Sequence, residues 1–458
     1  MNEGNVHLEE TSLQLVRDAL KKLDDGFASL PAISNDFAQD SRLAAVMTEV
    51  AAKMQDNYPY FHPLYAGQML KPPHPIARAA YALATWINPN NHALDGGRAS
   101  SAMEKEAVAQ IAEMFGWKEF LGHLCGGGTM ANLEALWVAG QLQRGKKILA
   151  SDQAHYTHHR ISSVLRLPFA EVPSDSQGRM NVKALEKMLE TADVGCVVAT
   201  LGTTGTGCVD PLPEIFRLRD RYGFRVHVDS AYGGYFTLAA NLTAETRASY
   251  DLIGHADSVV IDPHKHGLQP YGCGCVLFRD PSVGAIYKHQ SPYTYFTSSE
   301  LHLGEISLEC SRPGASAVAL WATQRLLPLV RGGEFAAMLE ANRDAAAQLW
   351  QRLVSDTRWL APFAPELDIV VWAPRANSAT EISELSQRVF DAAAKQDLHF
   401  ALIHLPTRFF ASLQSAAARS DRETVLCLRS VLMKPEHRDW LDRIWAILSS
   451  VADEVLTQ

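Results

Sequence analysis

The segment DPHKHGLQPYGCGCVLF (262–278) places Lys265 between two histidines and two residues after a proline. Lysine normally lies on protein surfaces, yet this one follows the apolar run SVVI (258–261) and precedes the apolar run CVLF (275–278). An amine in a crowded, partly desolvated site beside other cationic groups loses its proton more easily and can then attack an aldehyde. The sequence therefore indicates a nucleophilic lysine at position 265.

A glycine-rich stretch, CGGGTMANLEALWVAG (125–140), is a second candidate site. Backbone N–H groups at the start of a helix, uncrowded because the residues are glycines, form a seat for a phosphate. The stretch predicts phosphate recognition by Gly127, Gly128 and Thr129. It is neither GxGxxG nor a P-loop, and taken alone it fits a flexible turn capped by Thr129 equally well.

A third stretch, HVDSAYGGYF (227–236), puts Asp229 at the end of an apolar strand. A buried carboxylate is costly there unless a positive group pairs with it. A protonated ring nitrogen would be such a partner, and an N-cap or a structural salt bridge is the alternative for this motif alone.

Three histidines, His155, His158 and His159, occur in SDQAHYTHHR (151–160). No carboxylate or cysteine at a familiar zinc spacing accompanies them, so we expect no metal site. We expect His155 to lie flat against an aromatic ring, and His158 and His159 to be ordinary polar positions.

A phosphate loop, a stacking histidine, a strand-end aspartate and a strand-end lysine, in this order, are the parts needed to hold pyridoxal phosphate. The chain resembles fold-type I pyridoxal-phosphate enzymes, and within them the group II amino-acid decarboxylases, which include the aromatic amino-acid, glutamate and tyrosine decarboxylases. The resemblance extends from HP at 62–63 to LRSVLMKP at 428–435, and includes ATLGTTGTG at 199–207. The family usually has Asn-Pro-His-Lys at the lysine, whereas this chain has Asp262, which leaves open any role of that side chain near the phosphate.

The resemblance implies a role for each residue that matches a family motif. Lys265 would bind the cofactor as a Schiff base, His155 would stack on the pyridine ring, and Asp229 would pair with the ring nitrogen. The other implied contacts are Ala231 on the second face of the ring, Thr204 or less favourably Thr203 beside the ring, and His264 near the phosphate. Tyr293 and Tyr295, in YKHQSPYTYFTSS (287–299), are candidate proton donors, although packing at a dimer interface explains them equally well.

The implied activity is removal of the α-carboxylate of an L-amino acid, which gives an amine and CO2 through Schiff-base and quinonoid intermediates. The protein would select this reaction by holding the bond to the carboxylate perpendicular to the ring. SRPGASAVALWA (311–322) also resembles sphingosine-phosphate lyase, so a carbon–carbon lyase or an aldehyde-forming relative is the alternative, followed by a non-catalytic protein that binds pyridoxal phosphate.

The substrate side chain is not specified by the sequence. Four residues of the amino-terminal region are candidates for the substrate pocket, although local packing explains them equally well: Tyr60, Phe61, His62 and Tyr81. Arg429 is placed to meet a substrate carboxylate or to brace the small domain, and we favour the bracing role.

The elements that position these residues alternate between short β-rich runs and helical segments. The β-rich runs are KKILAS (146–151), GCVVATLGTT (195–204), FRVHVDSAY (224–232) and DSVVIDPHK (257–265). This alternation predicts an α/β fold with a mostly parallel sheet. The resemblance implies a fold-type I, transferase-like architecture, with a seven-stranded sheet in a large domain and a smaller carboxy-terminal α/β domain.

We expect three parts along the chain: a helical segment at 1–85 that clamps a partner subunit, a large cofactor-binding domain at 86–335, and a small domain at 336–458. The family implies a homodimer with active sites at the subunit interface, and residues 1–60 suit the clamping role.

Composition narrows the function classes further. The chain has 458 residues and a net charge of −9, and it has no basic block, which argues against nucleic acid as a partner. No apolar stretch approaches the roughly 20 residues that span a bilayer, so we expect no membrane partner. The acidic amino terminus lacks the basic and apolar regions of a signal peptide, and seven scattered cysteines fit reduced thiols, so we expect a cytoplasmic protein.

Overall fold

The computed structural model describes residue 8 and residues 10–31, 40–288, 301–410 and 422–456. Two β-sheets, each covered by helices, form the described part of the chain. The large sheet contains β1 (Leu121–Cys125), β2 (Lys147–Ser151), β3 (Phe169–Val172), β4 (Val194–Thr200), β5 (Arg225–Asp229), β6 (Ser258–Ile261) and β7 (Gly274–Phe278). The predicted α/β fold with a mostly parallel seven-stranded sheet and a smaller second sheet is confirmed.

The strand order of the large sheet is β1-β7-β6-β5-β4-β2-β3. The neighbours from β6 to β3 pair in parallel, whereas β7 pairs antiparallel with both β6 and β1. Every residue of β4, β6 and β7 is buried, as expected for central strands that are covered on both faces. The valines of β4 and β6 fit this environment because β-branched side chains pack well on a pleated surface.

Helices alternate with the strands of the large sheet; the first of them precedes β1, and each of the others comes after at least one strand. They are α4 (Leu94–Met114), α5 (Gly128–Leu142), α6 (Thr157–Val164), α7 (Val182–Thr191), α8 (Leu212–Tyr222), α9 (Ala244–Tyr250), α10 (Gly284–Tyr287) and α11 (Gly314–Leu326). Helix α8 follows Pro211 and ends at Gly223, whose φ of 76° is the left-handed conformation that glycine adopts without strain.

The second sheet has the order β10-β11-β9-β8 and is antiparallel throughout. Its strands are β8 (Trp359–Leu360), β9 (Ile369–Pro374), β10 (Ala401–Pro406) and β11 (Thr424–Val431). Helices α12 (Glu334–Ser355) and α13 (Ala379–Ala394) pack against it, and α14 (His437–Leu456) packs against these two helices. Their buried apolar residues form a second core with β9 and β11.

Helices α1 (Thr11–Asp25), α2 (Arg42–Met54) and α3 (Pro75–Thr85) precede α4 in the chain. Helix α3 packs against α11 and α1, whereas no residue of α2 is buried. The described residues contain no helix that is both long enough and apolar enough to cross a membrane. All seven cysteines lie in the described ranges, and each is a free thiol.

Candidate active site

A cavity of about 510 Å³ lies where β4, β5 and β6 end and α5 begins. The carboxyl ends of parallel strands meet at one edge of a sheet, which is the usual ligand site of open α/β folds. The structure brings these sequence-predicted residues to the cavity wall: Gly127, Gly128, Thr129, His155, Thr204, Asp229, Ala231, His264 and Lys265. Four motifs that are far apart in the sequence therefore contribute residues to the same cavity.

The glycine loop forms one end of the cavity, directly before α5. Gly127 has a φ of 144°, in the region that side chains rarely adopt, and it supplies no side-chain cap to the helix. A Cβ on Gly128 would lie 2.7 Å from Asp262 Oδ2 and 3.2 Å from the Ala231 Cβ, so a side chain at this position would displace Asp262 or Ala231. The first amides of the 15-residue helix α5 thus meet the cavity without a side-chain acceptor, which suits an anion.

Lys265 lies in the turn that follows β6. Its Nζ is 3.1 Å from Asp262 Oδ2, and the two side chains are 19% and 3% exposed. The backbone N–H of Lys265 donates to the carbonyl oxygen of Asp262 at 2.9 Å, which fixes this turn. The amine therefore points into the cavity from a position set by the end of a buried strand.

Asp229, at the end of β5, is 5% exposed and accepts several hydrogen bonds. His158 Nε2 lies 2.8 Å from Asp229 Oδ2, and the amide of Ala231 donates to Oδ1 at 3.1 Å. Burial opposes ionisation of Asp229, but the hydrogen bond and charge of His158, together with the Ala231 amide, outweigh it and hold the pKa of Asp229 well below its usual range. Asp229 is thus an ionised carboxylate at the cavity wall.

A second chain of hydrogen bonds ends on the same carboxylate. Asn132 Nδ2 donates to Asp229 Oδ2 at 3.3 Å, and Asn132 Oδ1 accepts from His227 Nε2 at 2.8 Å. His227 Nδ1 in turn accepts from the Ser258 hydroxyl at 2.8 Å. Burial lowers the pKa of His227 to about 3, so its ring is neutral and all donors in the chain point toward Asp229.

His155 lies beside this carboxylate with its ring orientation fixed by Thr157. The Thr157 hydroxyl is 2.7 Å from His155 Nδ1, and the Thr157 amide donates to the same nitrogen at 3.3 Å. Burial lowers the pKa of His155, and Lys265 acts in the same direction while Asp229 opposes it. A neutral imidazole at the wall of a cavity is suited to stacking on a flat ring.

The structure separates the two candidate threonines. Thr204 lines the cavity, and its carbonyl oxygen accepts from Arg429 Nη1 at 2.8 Å. Thr203 is fully buried, its Oγ1 lies 2.8 Å from Thr206 Oγ1, and it does not line the cavity. Thr204 is therefore the threonine available to a ligand.

His264 lies between the glycine loop and Lys265. Its Nδ1 is 2.8 Å from the carbonyl oxygen of Cys273, and a Cβ on Gly127 would lie 3.3 Å from His264 Cε1. Its ring is 4.7 Å from that of Tyr271. This position at the glycine end of the cavity is compatible with a contact near a phosphate.

Other candidate residues lie elsewhere. The four pocket candidates Tyr60, Phe61, His62 and Tyr81 do not line this cavity. His62 instead packs edge-on against Trp440, with ring centroids 4.8 Å apart. Arg429 donates to Thr204 and to Gln68, so it connects β11 with the loop after β4, as expected for a brace. Tyr293 and Tyr295 lie outside the described residues.

The prediction that His158 is an ordinary polar position is wrong. His158 is 1% exposed and forms the short contact to Asp229, whereas His159 is exposed and packs beside Phe169. His158 follows His155 by about one helical turn, so both rings approach the end of β5. The spacing of three residues was the signal that could have identified it. Asn132, Asp262 and Glu309 also line the cavity and were not predicted as site residues.

The residues present fit pyridoxal phosphate. An uncrowded helix start suits a phosphate, and an ionised carboxylate suits a protonated ring nitrogen. Two buried polar atoms of the cavity lining, Thr200 Oγ1 and Asp262 Oδ1, have no partner among the described residues, as expected where a polar ligand binds. The described residues contain no group of three metal-ligating side chains arranged around a common point.

Comparison with known proteins agrees with this geometry. Residues 31–373 match the sequence model of the pyridoxal-dependent decarboxylase conserved domain. The chain is 26% identical to the L-tyrosine decarboxylase of Enterococcus faecium over 81% of this chain and 80% of that protein. It is 30% identical to the L-aspartate decarboxylase of Thermococcus kodakarensis over 60% and 71% of the two chains.

Solved structures show the same fold. The crystal structure of Oryza sativa TDC with PLP and tryptamine superposes with a TM-score of 0.78 and covers 98% of this chain and 99% of its own, at 16% identity. At that identity the likeness concerns the fold.

Proposed function

Since the chain belongs to the pyridoxal-dependent decarboxylase family and is an amino-acid decarboxylase, we propose that the cavity residues Lys265, Asp229 and His155 carry out its reaction. The observation that supports this proposal is the convergence of Lys265, Asp229 and the glycine loop on one cavity. The cofactor is pyridoxal 5'-phosphate, and its ring accepts the electron pair of the bond that breaks at the substrate Cα. The substrate is an amino acid, and the products are an amine and CO2.

Lys265 attaches the cofactor covalently in this proposal. Its amine lies in the cavity at the end of β6, and Asp262 holds it in place at 3.1 Å. An amine that is fixed in the cavity loses little orientational freedom when it reacts, which favours bond formation.

Asp229 keeps a proton on the ring nitrogen of the cofactor. The carboxylate stays ionised because His158 and the Ala231 amide hold its pKa low against the effect of burial. An ionised partner in a site with little water attracts a protonated nitrogen strongly. Asp229 therefore supplies the charge that makes the ring an effective electron acceptor.

His155 and Ala231 would hold the ring between them, and Thr204 would lie beside it. The glycine loop, with Gly127, Gly128 and Thr129, binds the phosphate through backbone amides, and His264 lies at the same end. These contacts fix the ring so that a substrate bond can be held perpendicular to it.

Tyr293 and Tyr295 stay candidate proton donors to the substrate Cα. The variants Tyr293→Phe and Tyr295→Phe each remove one hydroxyl and keep the ring. The variant that lacks the donor should keep its cofactor, as measured by visible absorbance, while amine formation falls by about 100-fold or more. If both variants form amine at the normal rate, neither tyrosine is the donor.

A carbon–carbon lyase or an aldehyde-forming enzyme is the alternative activity, and the comparisons do not favour it. The test is to supply the purified holoprotein with a panel of L-amino acids that includes L-tyrosine and L-aspartate, because relatives carry these names. We expect CO2 together with the corresponding amine, identified by mass spectrometry, and neither product from Lys265→Ala. Aldehyde without CO2 would contradict the proposal, and so would the absence of any product with cofactor bound.

The proposed quaternary structure is a homodimer with active sites at the subunit interface. Helix α2 supports it, because an apolar stripe on this helix is exposed in a single chain. The stripe comprises Leu43, Val46, Met47, Val50 and Met54, which are 44–64% exposed. A second copy of the chain would cover these side chains.

Light scattering after gel filtration tests the dimer. The double variant Val46→Glu with Val50→Glu should be largely monomeric, since it places two charges in the stripe. Ala52→Glu, on the opposite side of α2, serves as the control and should leave the mass unchanged. A monomeric wild-type protein, or a double variant of unchanged mass, would contradict this assignment.

We propose a cytoplasmic location because all seven cysteines are free thiols and Cys310 is exposed, which suits a reducing compartment.

The division into a clamp at 1–85, a cofactor domain at 86–335 and a small domain at 336–458 stays a prediction. Limited proteolysis followed by mass spectrometry tests it, with cleavage expected near residues 85 and 335.

A further inference from the structure

Asp262 forms an ion pair with Lys265. In the proposed function, this pair only holds the lysine amine in place. Asp262 Oδ2 and Lys265 Nζ are 3.1 Å apart, and the carboxylate side chain is 3% exposed. The two residues are three apart in the turn after β6, and a backbone hydrogen bond closes that turn. The geometry of the pair is therefore set by the backbone.

His264 is the second basic residue beside this carboxylate, with its Nε2 3.5 Å from Asp262 Oδ2. His264 Nδ1 lies 2.8 Å from the Cys273 carbonyl oxygen, which can only accept, so Nδ1 carries the proton. Burial lowers the pKa of His264, although Asp262 opposes this shift, so the ring is neutral near pH 7 and its Nε2 is unprotonated. Lys265 is therefore the cation that neutralises Asp262.

Asp262 also lies against the start of α5. A Cβ on Gly128, the first residue of this helix, would approach Asp262 Oδ2 to 2.7 Å. The amino-terminal end of a helix attracts negative charge. The helix end and Lys265 together stabilise a carboxylate in a residue that is only 2% exposed.

We propose that Asp262 is a positioning residue that receives Lys265 as an ammonium group when an amino acid replaces it on the cofactor. The incoming amine nitrogen bonds to the aldehyde carbon, the bond from that carbon to Lys265 Nζ breaks, and the protons that the incoming ammonium nitrogen loses pass to Lys265 Nζ, which leaves as an ammonium group. The released lysine is then a cation whose side chain is only 19% exposed, and an unpaired charge is costly there. Asp262 lies at ion-pair distance and offsets this cost. The proposal rests on the cofactor site proposed above.

The residue that the family usually has at this position, asparagine, makes a closely matched substitution. Asp262→Asn keeps the size of the side chain and an oxygen acceptor, and removes the charge. The released ammonium group is then less stable, so the exchange equilibrium shifts toward the state in which Lys265 holds the cofactor. A purely structural role of Asp262 would change cofactor content or melting temperature and leave this equilibrium unchanged.

The experiment titrates the holoprotein with methylamine, a primary amine that has no carboxylate to lose. Displacement of Lys265 is followed by the visible absorbance of the cofactor, and borohydride reduction with mass spectrometry counts the chains still linked through Lys265. In Asp262→Asn, the methylamine concentration for half displacement should rise about 10- to 100-fold, the usual range for a hydrogen bond to a charged group. Asp262→Ser also lacks the charge and should raise the half-displacement concentration as well. It takes the place of Asp262→Asn if Asp262→Asn does not fold.

Glu309→Gln is the matched control. Glu309 lines the same cavity and accepts from the Gly126 amide at 3.0 Å, so this variant removes one negative charge from the cavity without touching Lys265. Its half-displacement concentration should stay within about twofold of the wild type. A value for Asp262→Asn within twofold of the wild type would overturn the proposal, and so would an equal shift in Glu309→Gln. A wild-type protein that binds no cofactor would instead refute the proposed function.

Discussion

Replacing Arg312 with methionine should destabilise the protein, because Arg312 forms a buried ion pair beside the strand that leads into the glycine loop. Its Nη1 lies 2.8 Å from Glu104 Oε1, and the two side chains are 4% and 2% exposed. The same nitrogen donates to the carbonyl oxygen of Leu124 in β1, and Glu104 Oε1 accepts from the Leu124 amide at 2.9 Å. Without the guanidinium group, the Glu104 carboxylate is left buried without its cation.

Breaking a buried ion pair by removing one partner costs about 3–5 kcal/mol. An average unfolding entropy of about 2.1 cal/mol/K per residue corresponds to about 1 kcal/mol per kelvin for a chain of 458 residues. The apparent melting temperature of Arg312→Met should therefore fall by about 3–5 °C. Because Leu124 is two residues before Gly126, the affinity for pyridoxal phosphate should fall as well.

The assay is thermal unfolding followed by far-ultraviolet circular dichroism at one scan rate. Arg325→Met provides a matched control, because Arg325 also pairs with a glutamate of α4, Glu106, at 3.5 Å, but both side chains are exposed. Exposed pairs contribute about 0–1 kcal/mol, so the control should melt within about 1 °C of the wild type. The reasoning is refuted if Arg312→Met also stays within 1 °C, or if the control falls as far.

Three further predictions concern the site and its pH dependence. Gly128→Ala should weaken pyridoxal phosphate binding about tenfold or more in an absorbance titration, because the new Cβ would lie 2.7 Å from Asp262 Oδ2. Gly284→Ala is the control and should bind the cofactor normally, because its new Cβ would have no neighbouring atom closer than 3.6 Å. Asp229→Asn should retain the cofactor on Lys265 but release CO2 about 100-fold more slowly or worse, and a near-normal rate would argue against its role. Burial lowers the pKa of His437 to about 3, so the folded state binds fewer protons than the unfolded state. The free energy of unfolding is therefore highest above pH 6.5 and decreases as the pH falls toward 3. Between pH 7 and 5 this loss of unfolding free energy is about 2 kcal/mol. The melting temperature of His437→Asn should therefore fall less over that interval than that of the wild type. Equal slopes of melting temperature against pH for the two proteins would contradict the assignment.

Much of the large sheet could be predicted because its strands are short β-branched runs separated by helical periodicity. Strands β2, β5 and β6 lie within three of the predicted runs, and β4 begins one residue before the fourth. The direction of β7 could not be predicted in this way, because an apolar run such as CVLF buries equally well in a parallel or an antiparallel neighbour. Its antiparallel pairing with β1 joins segments more than 100 residues apart in the chain, whereas β6 lies close to it in the sequence.

The residues of the candidate site could likewise be predicted only in part from the local sequence. Asp229 ends β5 and Lys265 lies in the turn just after β6, so their positions at one edge of the sheet follow from local sequence. His158 could not be identified with the same certainty, because three histidines within five residues leave the buried one undetermined. The Arg312–Glu104 pair joins residues 208 positions apart, and no local pattern indicates which arginine meets which glutamate.

The covalent attachment of pyridoxal phosphate to Lys265 is tested most directly by borohydride reduction of the purified holoprotein, followed by peptide mass mapping. We predict one added pyridoxyl phosphate group per chain, on the peptide that contains DPHKHG, and no addition to Lys265→Ala. A cofactor-loaded protein that acquires the group on another lysine, or on none, would contradict the central claim.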